Sequence, residues 1–154
     1  MIIARSRAAA ALFVFLAVPL AASAAPKPFA GPASGWDHTV GATATPQAPR
    51  AQESWKKSDG EYITYLEDGG LSYDDTIAAV KKNVADNGWK LAVDTDRTCD
   101  GKRAHELEMT LGTTVVHQLV IDEAPGLTKI TYARPQNHAV SGDVTTALNT
   151  YCGP

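Results

Sequence analysis

From Trp89 to Arg134 apolar and polar residues follow a period of two, broken at two places by short runs that end in glycine. Successive side chains of a strand leave opposite faces, so this period calls for strands rather than helix. Three strands are expected, Trp89–Thr98, Lys102–Met109 and Thr113–Ile121, with a fourth over Leu127–Arg134. The breaks Cys99-Asp100-Gly101 and Thr110-Leu111-Gly112 suit three-residue hairpin loops ending on a left-handed glycine. Loops of that length set a register with Val93 facing Leu107, Leu91 facing Met109, Leu107 facing Val115 and Met109 facing Thr113. A single apolar face results. So long an antiparallel meander points to an α+β fold, with helices laid on a sheet.

Two helical segments are available to cover it. In Leu71–Trp89 the residues Tyr73, Ile77, Val80 and Val84 recur at helical spacing. Ser72 is the expected N-cap, Asp75 stands three residues on, and Asn87-Gly88 supplies the stop, with Trp89 folding back. Asp74 and Asp75 in the first turn, and Lys81 and Lys82 further along, suit the helix dipole. A second helix is expected over Gly142–Tyr151, capped by Ser141, with Val144, Ala147, Leu148 and Tyr151 inward. Upstream, Trp36–Val40 reads as a short strand. The segment from Glu53 to Asp68 reads as two strands around a Ser58-Asp59-Gly60 turn, and Ala42–Gln52 as a proline-bearing loop.

Residues 1–24 have the build of an export signal. Arg5 and Arg7 lead, Ala8–Leu20 is apolar, and Ala22-Ser23-Ala24 offers small residues before a cleavage expected ahead of Ala25. The apolar run is too short for a bilayer span and Pro19 interrupts it, so no stable membrane insertion is expected after cleavage. Arg5-Ser6-Arg7 is no twin-arginine pair, and no cysteine follows to carry a lipid. A periplasmic or secreted chain is expected, with 25–35 as a flexible Pro/Gly/Ala-rich lead-in and 36–154 as a single α+β domain. Losing Arg5 and Arg7 leaves 12 Lys and Arg against 17 Asp and Glu, so the net charge moves from −3 to −5. That mild acidity argues against nucleic acid or anionic lipid as partner. In an oxidising compartment Cys99 and Cys152 are expected to form a disulfide, stapling the last helix to the hairpin tip. Closing that loop stabilises by about 4 kcal/mol through chain entropy. A reactive thiol is the rival, but there is no Cys-x-x-Cys and neither cysteine opens a helix.

Residue chemistry offers three candidate sites. Asp96-Arg97-Thr98-Cys99-Asp100-Gly101 imitates the start of a calcium loop, but its twelfth position is Leu107, flanked by Glu106 and Glu108. Asp100-Gly101 therefore reads as turn chemistry. In the register above His105 faces His117 across two strands, the geometry of a zinc or copper pair that an acid or His138 could complete. The alternative makes both histidines core-edge residues bonded to neighbours such as Thr95 or Tyr132. No nucleophile elbow, His-Glu-x-x-His or phosphate-binding glycine loop is present, and Glu106 and Glu108 are expected to face water. Among Trp36, Trp55, Tyr62, Tyr65 and Trp89, most are expected in the core, and Trp36 is the ring expected at a groove.

The order three strands, helix, four-stranded meander, helix resembles the Mog1/PsbP-like fold over Trp36–Cys152. Gly35-Trp36 and the Leu71-Ser72-Tyr73-Asp74-Asp75 helix onset carry the likeness in detail. The resemblance implies an accessory or partner-binding protein rather than an enzyme; it carries over no functional residue, and the disulfide is no mark of that group. The expected function is a non-catalytic exported module binding an unknown protein or small molecule, with no cofactor. The alternative is a transition-metal-handling periplasmic protein using His105 and His117, and a third reading is an enzyme of unrecognised type.

Overall fold

The computed structural model describes residues 27–41 and 51–153. The expected export signal, the start of the lead-in, most of the 42–52 loop and Pro154 lie outside the described residues. Strands β1 (Asp37–Val40), β2 (Ala51–Lys56) and β3 (Tyr62–Asp68) come first, then helix α1 (Tyr73–Asp86). Strands β4 (Lys90–Cys99), β5 (Lys102–Leu111), β6 (Thr114–Glu123) and β7 (Gly126–Pro135) follow, then helix α2 (Gly142–Cys152). All the strands join one antiparallel sheet in the order β1-β2-β3-β7-β6-β5-β4. It is two meanders set side by side where β3 pairs with β7. α1 carries the chain from the middle of the sheet to its far edge. The architecture is α+β, an antiparallel sheet with two helices.

The hairpins correct the expected register. Cys99 pairs with Lys102, so the first turn is only Asp100-Gly101, with φ of 51° and 74°. Asp-Gly with both residues left-handed is the tight turn whose twist matches the strands. The pairing is thereby shifted by one, with Asp94 opposite Leu107, until a bulge at Ala92 restores the expected Leu91–Met109 pair. The second turn is Gly112-Thr113, with Leu111 opposite Thr114 and Gly112 at φ 56°. This moves β6 by three residues, putting Met109 opposite Val116 and Leu107 opposite Gln118. An odd shift exchanges the two faces of a strand. β6 tolerates it because Val115, Leu119 and Ile121 on one face and Val120 on the other are all buried.

Each face carries a helix. On one, Tyr73 and Ile77 of α1 pack on Val120 and Leu127, and Val84 packs on Leu107 and Met109 with Val80 and Trp89 alongside. Ser72 Oγ accepts from Asp75 N, and Gly88 at φ 67° lets Trp89 N return to Val84 O at 3.0 Å. On the other face, Val144 and Tyr151 of α2 join Ile63, Tyr65, Leu119, Ile121, Ile130 and Tyr132 in the larger core. Ser141 holds the N-cap position of α2 without a side-chain capping bond.

The second core begins earlier than expected. Phe29, assigned to the lead-in, is 3% exposed and packs among Trp55, Tyr65 and Tyr151, with ring centroids 5.3–5.7 Å away. Lys27 Nζ donates to Thr150 O at 2.9 Å, placing a cation at the C-terminal end of α2, where the last turn has no basic residue of its own. Residues 27–29 thus strap α2 down. The Cys99–Cys152 disulfide holds the same end of α2, and Asp100 N donates to Cys152 O at 2.7 Å beside it.

Candidate functional site

Beneath α2, close to the disulfide, the sheet presents a row of charged groups from three adjacent strands. Arg97 is on β4, Glu106 and Glu108 on β5, and His117 on β6. The observed register sets Glu106 between the other two. Its Oε2 accepts from Arg97 Nη1 at 2.9 Å, and its Oε1 lies 2.6 Å from His117 Nε2. Cross-strand neighbours of opposite charge stabilise a sheet, and here each is held in place by the one beside it. Burial pushes the Glu106 carboxyl up, but the hydrogen bonds from His117 and Arg97 outweigh it and hold the group below the usual carboxylate range.

These side chains line a half-open cavity of about 230 Å³ together with Thr145, Leu148 and Asn149 of α2 and Cys152. Leu119 gives it an apolar base, while Val140 and Leu148 give it an apolar side. The site holds one guanidinium, two carboxylates and one imidazole, a slightly acidic set with hydrogen-bonding capacity of both kinds. A larger groove of about 430 Å³ runs between residues 27–33 and α2, but Pro28, Ala30, Gly31, Pro32 and Ala33 make up much of its wall. Its polar lining comes from Lys27, Asp143, Thr146, Thr150 and Tyr151.

The structure does not bring His105 and His117 together. His105 is opposite Val120 and His117 opposite Glu108, so the two rings leave opposite faces of the sheet. The expected two-histidine metal pair is corrected on this point, for the reason given by the Gly112-Thr113 turn. His105, 6% exposed on the α1 side, has Nδ1 2.6 Å from Asp96 Oδ1 and Nε2 2.6 Å from Asp94 Oδ1. A neutral imidazole has one N–H, so donating to both carboxylates takes the doubly protonated ring. Lys81 of α1 adds an ion pair to Asp94 at 2.6 Å. The hydrogen bond from Lys81, opposed by partial burial and assisted by His105, holds the Asp94 carboxyl below its usual range. This cluster ties α1 to the edge of the sheet.

Glu106 and Glu108 are corrected too: both line the cavity under α2 instead of an open water-facing strand. The calcium-like stretch is strand, turn and strand, its Asp96 bound to His105. Trp36 packs at the margin of the α2-side core with Lys57 Nζ 5.5 Å above its ring, while Trp55 and Tyr65 are buried and Tyr62 is exposed. Sequence reasoning missed Arg97 and His117 as the two partners of Glu106; a shift of register hides such diagonal contacts from the sequence.

No protein-family model matches this chain, and no curated protein matches it. Among solved structures, that of PA94, a protein of unknown function from Pseudomonas aeruginosa, is similar over 71% of this chain and 74% of that one, at 19% identity and a TM-score of 0.40. Among the described residues, no helix is long and apolar enough to cross a membrane.

Proposed function

We propose that the protein is a non-catalytic exported binding module, with the cavity beneath α2 as its binding site. The observation that carries this reading is the Arg97–Glu106–His117 row set against an apolar base within a cavity of about 230 Å³. Small-molecule sites combine an apolar lining with a few fixed polar groups, and this is that combination at small scale. Two carboxylates against one guanidinium favour a ligand with a cationic or hydrogen-bond-donating head and a short apolar body. The disulfide supports export, because such bridges persist in oxidising compartments. The Mog1/PsbP-like fold is the finer reading of the architecture, and it draws support from the element order and from helices on both faces of the sheet.

The test is a titration of small amphipathic amines and amides, followed through the His117 ring signals by NMR. The proposal expects a subset to move His117 and the α2 amides, and expects Leu148→Trp, which fills the cavity, to abolish the shifts. Shifts that persist in Leu148→Trp, or no shift with any compound, would contradict it.

A further inference from the structure

We propose that Asp59, Glu61 and His138 form a binding site for a first-row divalent transition ion, at the end of the molecule where β3 begins and β7 ends. This site is separate from the cavity under α2 and does not depend on it. Asp59 lies in the β2–β3 turn, Glu61 immediately precedes β3, and His138 follows β7. The β3–β7 pairing, with Tyr62 opposite Ala133, brings these segments together. One ligand atom from each residue lies within 4.8 Å of the others. Bonds of roughly 2.0–2.2 Å to a single ion need ligand atoms about 3–4 Å apart. Small rotations close the difference, because the Asp59 and His138 side chains are 37% and 32% exposed.

Glu61 is the fixed member. It is 4% exposed, and Tyr132 Oη donates to its Oε2 at 2.9 Å. That bond orients the carboxylate from behind. The other oxygen, Oε1, faces His138 Nδ1 at 3.5 Å, beyond the span of a good hydrogen bond. A buried carboxylate needs an opposite charge. Neither nearby cation forms an ion pair with Glu61: Arg134 donates to His138 O at 2.7 Å, and Lys57 pairs with Asp59 at 3.5 Å, a contact that a bound ion would displace. Those same contacts hold the loops in place, since Glu61 N donates to Asp59 Oδ1 at 3.2 Å and His138 N to Pro135 O at 3.0 Å. An ion between the three would bring positive charge directly to Glu61 Oε1, where His138 Nδ1 now stands at 3.5 Å.

One imidazole nitrogen and two carboxylate oxygens suit zinc or manganese rather than a soft ion, and three protein ligands leave positions for water. Both cysteines are consumed by the disulfide, so no thiolate competes.

Calorimetric titration of the purified disulfide-bonded protein with zinc chloride, then manganese chloride, tests the proposal. It expects one zinc ion per chain, bound at least tenfold more weakly by Asp59→Asn and by His138→Ala. His117→Ala should bind as the parent does. Asp59 and His138 are exposed enough for the variants to fold, which far-ultraviolet circular dichroism checks. Absence of binding by either metal, unchanged affinity in both variants, or loss of binding in His117→Ala would overturn it.

Discussion

Asp94 shows how one carboxylate can couple an edge strand to a helix and give the fold an acid limit. Its carboxyl is held low by Lys81 and by His105, and Glu106 is held low on the opposite face by His117 and Arg97 despite its burial. A carboxyl lower in the folded than in the unfolded chain favours folding while it is ionised. Its contribution is therefore complete above about pH 4, the unfolded value, and is lost as pH falls through the depressed folded value. Thermal melting from pH 7 to pH 2 should show Tm falling below about pH 4, with Asp94→Asn flattening that limb. Phe29 is the residue-scale test of the strap. Phe29→Ala removes a ring packed among three others and should cost about 3–5 kcal/mol in urea unfolding. Glu106→Gln, which weakens two partly exposed ionic contacts, should cost only about 1 kcal/mol by the same measurement.

Among the elements, β7 is the seam between the two meanders, and its first residue leaves no room for a side chain. A Cβ on Gly126 would overlap the carbonyl oxygen of Asp68 and the Cα of Gly69, which are backbone and cannot swing aside. Gly126→Ala should destabilise by about 3 kcal/mol in urea unfolding through separation of the β3 and β7 ends. How far the elements could be read in advance follows from the same local physics. α1 was legible because Ser72, the Tyr73–Val84 stripe and Asn87-Gly88 all specify one helix in one place. The meander was legible as strands but not in register: Val115, Leu119, Ile121 and Val120 make β6 apolar on both faces, so alternation could not report the turn length. That one ambiguity separated His105 from His117 and concealed the contacts of Arg97 and Glu106. Phe29 was hidden by its setting of prolines, glycines and alanines. Asp59, Glu61 and His138 meet only through the β3–β7 pairing, which no local pattern announces.

For the molecule as a whole, the two helices are fastened differently. α1 rests on two small apolar clusters and the Asp94–Lys81 link. α2 lies on the larger core and is held at its C-terminal end by the Cys99–Cys152 bridge and the Lys27–Phe29 strap. The cavity proposed for binding exists only while α2 stays in place. Hydrogen exchange of the disulfide-bonded protein against a Cys99→Ala, Cys152→Ala variant tests this most directly. The account predicts that the α2 amides exchange at least tenfold faster in the variant while the β5, β6 and β7 amides keep their protection. Unchanged protection of α2, or an equal loss across the sheet, would contradict it.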